Sequence, residues 1–188
     1  MKYITAGILT IIIIAGAIWL LTGNNQTNTQ TSTTTSQSTN SQSPTYKQLK
    51  VGQKAPEFNL KTIDGQNLFL SGLGGKIIVL TSGAAWCPTC VIENKNFRPV
   101  HQEVKDKGVE FITVDIDPID DVQAVRGFQE TYAPWHNVHV SQAKDLIEDY
   151  GFWRFEITYI IDRQGIIRFA DSQITETATL RQELDKLI

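Results

Sequence analysis

Four consecutive apolar residues, Ile77-Ile78-Val79-Leu80, lead into Cys87-Pro88-Thr89-Cys90, which holds the only two cysteines of the chain. An unbroken apolar run of this kind suits a strand buried on both faces of a sheet. Downstream, Phe97, Val100, His101 and Val104 recur at helical spacing, and Gly108 can stop the helix. The cysteines therefore fall where a buried strand gives way to a helix. Two cysteines are too few for a disulfide-stapled mini-domain or a four-cysteine zinc site.

The remaining pattern extends the alternation. Residues 109–115 form a second β-rich run, residues 122–132 a helical one, and Val138-His139-Val140 a short strand. Residues 141–150 follow as a helix with Ser141 at its N-cap. Residues 158–161 make a third strong strand, Arg163-Gln164-Gly165 a turn, residues 166–170 its hairpin partner, and residues 177–188 a closing amphipathic helix. Pro99 should kink the first helix. The order predicts an α/β domain with a mixed sheet, its first two core strands parallel and joined by a right-handed crossover.

That domain occupies residues 45–188. Of the 17 basic residues only Lys2 precedes it, and all 20 acidic residues lie within it. The acidic balance argues against a sequence-independent nucleic-acid binder, which needs a basic surface to displace counterions from phosphate. No nucleic-acid partner is expected.

Ahead of the domain are two segments of different character. Residues 4–21 carry no charge and as a helix would extend about 27 Å, close to the thickness of a hydrocarbon core. We read residues 1–21 as a single-pass membrane anchor. Lys2 would hold its N-terminus in the cytoplasm, and Trp19 would lie near the far interface. Ala15-Gly16-Ala17 also fits a signal-peptidase site, so a cleaved leader is the rival reading. Either way the domain lies outside the cytoplasm. Residues 22–44 hold only Thr, Ser, Asn, Gln, one Gly and one Pro. They have nothing to bury and read as a disordered linker.

The cysteine pair carries the chemistry. Cys87 would sit at the helix N-terminus with Pro88 at the first helical position, where its missing N–H costs nothing. Unpaired backbone N–H groups and the helix dipole would lower the pKa of the Cys87 thiol. Cys87 would attack a substrate disulfide. Cys90, one turn deeper, would resolve the mixed disulfide. Trp86 would shield the site and offer an apolar contact surface. A static disulfide is the bland alternative, but it closes too small a loop to stabilise much.

Trp86-Cys87-Pro88-Thr89-Cys90 resembles the W-C-x-x-C site of the thioredoxin superfamily. The stretches Val51 to Leu60, Asp64-Gly65, Leu73-Gly74-Gly75-Lys76 and Thr158 to Gly165 are similar to the TlpA-like and redoxin (AhpC-TSA-like) branch. The resemblance implies a thioredoxin-like fold with an N-terminal β-hairpin extension. It implies a thiol–disulfide oxidoreductase whose only redox group is the Cys87–Cys90 pair, without a further cofactor. Its partners would be protein thiols and disulfides and a membrane electron donor, in cytochrome maturation, metal-centre assembly or disulfide handling. It also implies that Glu93 accepts the Cys90 proton during resolution, against the alternative of a solvated helix carboxylate. Ile157 and Thr158 would line the substrate groove beside Pro88. Ile157 departs from the family, which usually has a cis-proline there.

Two other activities bear on the same residues. Val114-Asp115-Ile116-Asp117-Pro118, Asp120-Asp121 and Trp135 resemble a stretch of Sco-type copper chaperones. Copper would then be held by Cys87, Cys90 and His139. A peroxiredoxin would need a P-x-x-x-(S/T)-x-x-C loop, which neither cysteine has.

Overall fold

A computed structural model of the chain describes residues 48–188. The anchor assigned to residues 1–21 and the linker assigned to residues 22–44 lie outside the described residues. The strands are β1 (Asn59–Lys61), β2 (Asn67–Phe69), β3 (Ile77–Gly83), β4 (Val109–Asp115), β5 (His136–Val138), β6 (Thr158–Ile161) and β7 (Ile167–Asp171). The helices are α1 (Pro88–Val104), α2 (Val122–Thr131), α3 (Lys144–Asp149) and α4 (Thr177–Asp185).

β3 lies at the centre of a five-stranded sheet of order β5-β4-β3-β6-β7. It runs parallel to β4 and antiparallel to β6. The sheet is mixed and its first two core strands are parallel, as the sequence predicts. β1 and β2 form a separate antiparallel pair.

The apolar run of β3 is explained by cores on both faces. Ile78 and Leu80 join one cluster with Leu60, Leu68, Leu146, Tyr150, Ile157 and Tyr159. Ile77 and Val79 join the other, with Phe97, Val100, Phe111, Phe128, Leu180 and Leu184. The β1–β2 pair and α3 therefore cover one face, and α1, α2 and α4 the other.

Three expected boundaries move. β5 begins at His136, two residues before the predicted strand, because His136 and Asn137 pair with β4 despite their polarity. The helix expected from Ser141 is α3 starting at Lys144, with Ala143 rather than Ser141 at its N-cap. Residues Val140–Gln142 form a 3-10 turn instead. α4 stops at Asp185. Pro99 lies inside α1, where its missing N–H leaves the Lys95 carbonyl without a helical donor.

Candidate active site

The central strand delivers the cysteines. After β3 ends at Gly83, Cys87 is the N-cap residue of α1 and Pro88 its first helical residue. Cys87 and Cys90 are joined as a disulfide, with Cα atoms 5.2 Å apart. The N–H of Cys90 donates to Cys87 Sγ at 3.2 Å, so the sulfur takes the place of a capping side-chain oxygen. Such a donor favours negative charge on Cys87 once the disulfide is reduced.

Both cysteines are buried, Cys87 as well as the deeper Cys90. What covers Cys87 is Glu156, a residue the sequence reading did not single out. Its Oε1 lies 3.4 Å from Cys87 Sγ and 3.5 Å from Cys90 Sγ. The Thr89 hydroxyl donates to the same oxygen and touches Cys87 Sγ at 3.1 Å. Arg154 Nη2 stands 4.0 Å from the other carboxylate oxygen. Glu156 holds a left-handed backbone, φ 58°, which is uncommon for a residue with a side chain and tends to occur at functional sites. Its N–H donates to Ser82 O at 3.0 Å, which fixes this bend against the end of β3. The one sequence signal was a lone acid between Phe155 and Ile157, ahead of an apolar strand.

Ile157 and Thr158, expected to line the substrate groove, are fully buried. Ile157 pairs with Ser82 through both backbone groups, its N–H to Ser82 Oγ and its C=O from Ser82 N–H. This turns its side chain into the core. Thr158 faces Thr81 and Glu93. These two side chains are interior groups, and Glu156 holds the position facing the sulfurs. Pro88 is exposed at the start of α1.

Glu93 is also interior, 1% exposed, so the alternative of a solvated helix carboxylate does not hold. It accepts from Thr81 Oγ1, Thr158 Oγ1 and the Thr175 N–H. Burial pushes its pKa up to about 7, against those three hydrogen bonds, and the charge on Glu156 adds to the rise. A carboxyl that titrates there can exchange a proton near neutral pH.

A cluster of aspartates holds the turn that precedes the cysteines. The Ala85 N–H donates to Asp120 Oδ2 at 2.6 Å and to Asp115 Oδ2 at 3.2 Å. Burial and the neighbouring Asp120 hold Asp115 far above the usual carboxylate range, so the pair retains a proton. Trp86 Nε1 donates to Asp117 Oδ2 at 2.7 Å. Its ring packs edge-on against Phe155, centroids 5.6 Å apart, and is 58% exposed. Trp86 thus borders the site and leaves apolar surface for a partner. The acidic stretch that resembled a copper chaperone serves here to position this turn.

Among the described residues, the donor set that closes on the two cysteines contains Glu156 and not His139. The His139 ring is engaged elsewhere, Nε2 with the Asp120 carbonyl and Nδ1 with Ser141 Oγ, each at 2.8 Å. The structure does not assemble the copper ligand set expected from Cys87, Cys90 and His139.

The sequence pattern of the AhpC/TSA family matches residues 51–170. The chain is 29% identical over 119 residues to a thiol-disulfide oxidoreductase, ResA, of Bacillus anthracis, covering 63% of this chain and 68% of that protein. It is 29% identical over 138 residues to the thioredoxin-like protein YneN of Bacillus subtilis, covering 73% and 80%. In structure it is similar to the thioredoxin domain of a thiol-disulfide oxidoreductase from Bacteroides vulgatus. The TM-score is 0.62 at 22% identity, over 73% of this chain and 97% of that one. The last likeness is one of fold, a thioredoxin-like α/β sheet.

Proposed function

The chain belongs to the AhpC/TSA family, and from that premise we propose that it exchanges the Cys87–Cys90 dithiol and disulfide with protein partners outside the cytoplasm, held at the membrane by residues 4–21. The observation that carries the exchange reaction is the disulfide at the α1 N-terminus, with Cys87 Sγ capping the helix. Relatives named as thiol-disulfide oxidoreductases support it.

In the reducing direction the Cys87 thiolate attacks a substrate disulfide and releases one substrate thiolate. Cys90 then gives up its proton, and its thiolate attacks Cys87 Sγ. The second substrate thiolate leaves, and the Cys87–Cys90 disulfide re-forms. Each departing thiolate takes one proton, so two thiols of the enzyme become two thiols of the substrate. Glu93 serves as proton acceptor in the second step through its near-neutral titration. A membrane electron donor returns the disulfide to the dithiol. The uncharged apolar run of residues 4–21 and the neutral stretch 22–44 support a tethered, extracytoplasmic domain.

Two variants test the exchange reaction. Cys87→Ser abolishes turnover of a peptide disulfide, and Cys90→Ser accumulates a mixed disulfide on Cys87. Full activity in Cys87→Ser overturns the reading. Protease added to intact protoplasts digests the domain if the topology is right. A fully protected domain overturns it.

A further inference from the structure

We infer that Glu156 sets the direction of electron flow, making the Cys87–Cys90 pair a donor of electrons rather than an oxidant. The inference rests on the exchange reaction proposed above and concerns only its poise.

One oxygen of Glu156 touches both sulfurs. The charge on this side chain is met by the Thr89 hydroxyl and, on its far oxygen, by the half-exposed Arg154 guanidinium at 4.0 Å. Glu93 is close enough for its titration to feel the charge on Glu156. Reducing the disulfide would create a thiolate on Cys87. The α1 N-terminus favours that anion, through the Cys90 N–H and a helix end equivalent to about half a positive charge. Glu156 opposes it with a full negative charge at contact distance, in a pocket where Cys87 is 2% exposed. A full charge in contact outweighs a partial one, because screening is weak where water is excluded.

The consequence follows from the redox balance. A dithiol–disulfide couple is strongly oxidising when its reduced form is stabilised. Here the thiolate that would stabilise the reduced form is disfavoured. A protonated thiol is a weak hydrogen-bond donor, so its bond to the carboxylate returns less than the thiolate loses. The pair therefore favours the disulfide and passes its electrons on. Access points the same way, since an incoming substrate thiolate must approach Cys87 past a carboxylate, whereas an uncharged disulfide meets no such repulsion.

The test is the equilibrium of the full-length protein with a glutathione redox buffer, read by alkylation of the free thiols, together with the pH dependence of Cys87 alkylation. Glu156→Gln keeps the shape and removes the charge. It should shift the equilibrium about tenfold toward the reduced protein, equivalent to about 30 mV for a two-electron couple. The pH midpoint of Cys87 alkylation should fall by about one unit. Glu156→Asp should stay on the wild-type side of that shift. Arg154→Ala, which leaves every contact to the sulfurs in place, should move both readings in the opposite direction by a smaller amount. Unchanged or reversed readings in Glu156→Gln and Arg154→Ala overturn the inference, although the wild type still exchanges disulfides. A wild-type pair that exchanges with no disulfide overturns the underlying reaction instead.

Discussion

Asp115 and Asp120 converge on a single backbone donor, the N–H of Ala85, two residues ahead of Cys87. Two carboxylates cannot share that donor as two anions without strong repulsion, so the pair keeps a proton. The turn that presents the cysteines is thus tied to the protonation of β4's last residue.

Asp115→Asn should tighten this arrangement in alkaline solution. A carboxyl whose native pKa is raised stabilises the fold fully below its unfolded value. That stability is lost as pH rises through the native value. The wild type should lose stability toward pH 9, and the variant should lose on the order of 1 kcal/mol less. Urea midpoints at pH 6 and pH 9 measure the difference. Identical losses in the two proteins would contradict the shared proton.

Glu93→Gln makes a second pH test in an overlapping window that ends lower. The native pKa stands at about 7 against an ordinary 4.5. The Glu93 contribution to stability should therefore be fully present below about pH 4.5 and decline until about pH 7, by roughly 3 kcal/mol. The variant should lack that share of the slope and keep the part that Asp115 contributes. In single-turnover release from a mixed disulfide on Cys87, the variant should also lose the inflection near pH 7. An inflection that survives in Glu93→Gln assigns the proton transfer to another group.

Trp86→Ala separates docking from chemistry. The ring stands beside the disulfide, tethered to Asp117 and packed on Phe155, with half its surface open. Its loss should raise KM for a folded protein substrate about tenfold, the scale of a modest interface anchor. Turnover of a small disulfide should stay within about twofold. Equal losses on both substrates would place Trp86 in support of the cysteines rather than of the partner.

Tyr150→Phe probes the attachment of the N-terminal segment. The Tyr150 hydroxyl donates to the Pro56 carbonyl at 2.7 Å, and the Tyr150 carbonyl accepts from Tyr159 at 2.8 Å. Removing the hydroxyl should cost about 1 kcal/mol, measured by urea unfolding. Limited proteolysis should cut between residues 48 and 56 sooner than in the wild type.

Much of the domain can be read in one dimension because its burial is regular. β3 and β6 are buried along their whole length and β4 at all but Glu110, so the runs Ile77 to Leu80 and Tyr159 to Ile161 are continuous in the sequence. The cysteine pair is equally legible, since strand end, N-cap and Pro88 are local features. β5 is harder to see. Asn137 is buried and spends its side-chain amide on the carbonyls of Ala133 and Trp135, and His136 pairs with Glu110. Neither carries a hydrophobic signal. Glu156 was hidden for a different reason. Its neighbours Cys87 and Thr89 lie more than sixty residues upstream. They meet it only because β3 and β6 pair in register at Thr81 and Thr158. Ile157 misled in the same place, since its role follows from pairing with Ser82 and not from its side-chain type.

The residues entering the domain do more than lead into it. Gly52 N–H donates to Ile167 O, Ile167 N–H to Gln53 O, and Ala55 N–H to Gly165 O, along the outer side of β7. At the opposite end of the sheet, Ile63 N–H donates to Asn137 O in β5. Each outer strand thus spends backbone hydrogen bonds within its own chain. Bare strand edges invite pairing with a neighbour and are a common route to aggregation. The bonds at Ile167 and Asn137 occupy part of each edge and leave fewer backbone groups for a neighbouring chain to pair with.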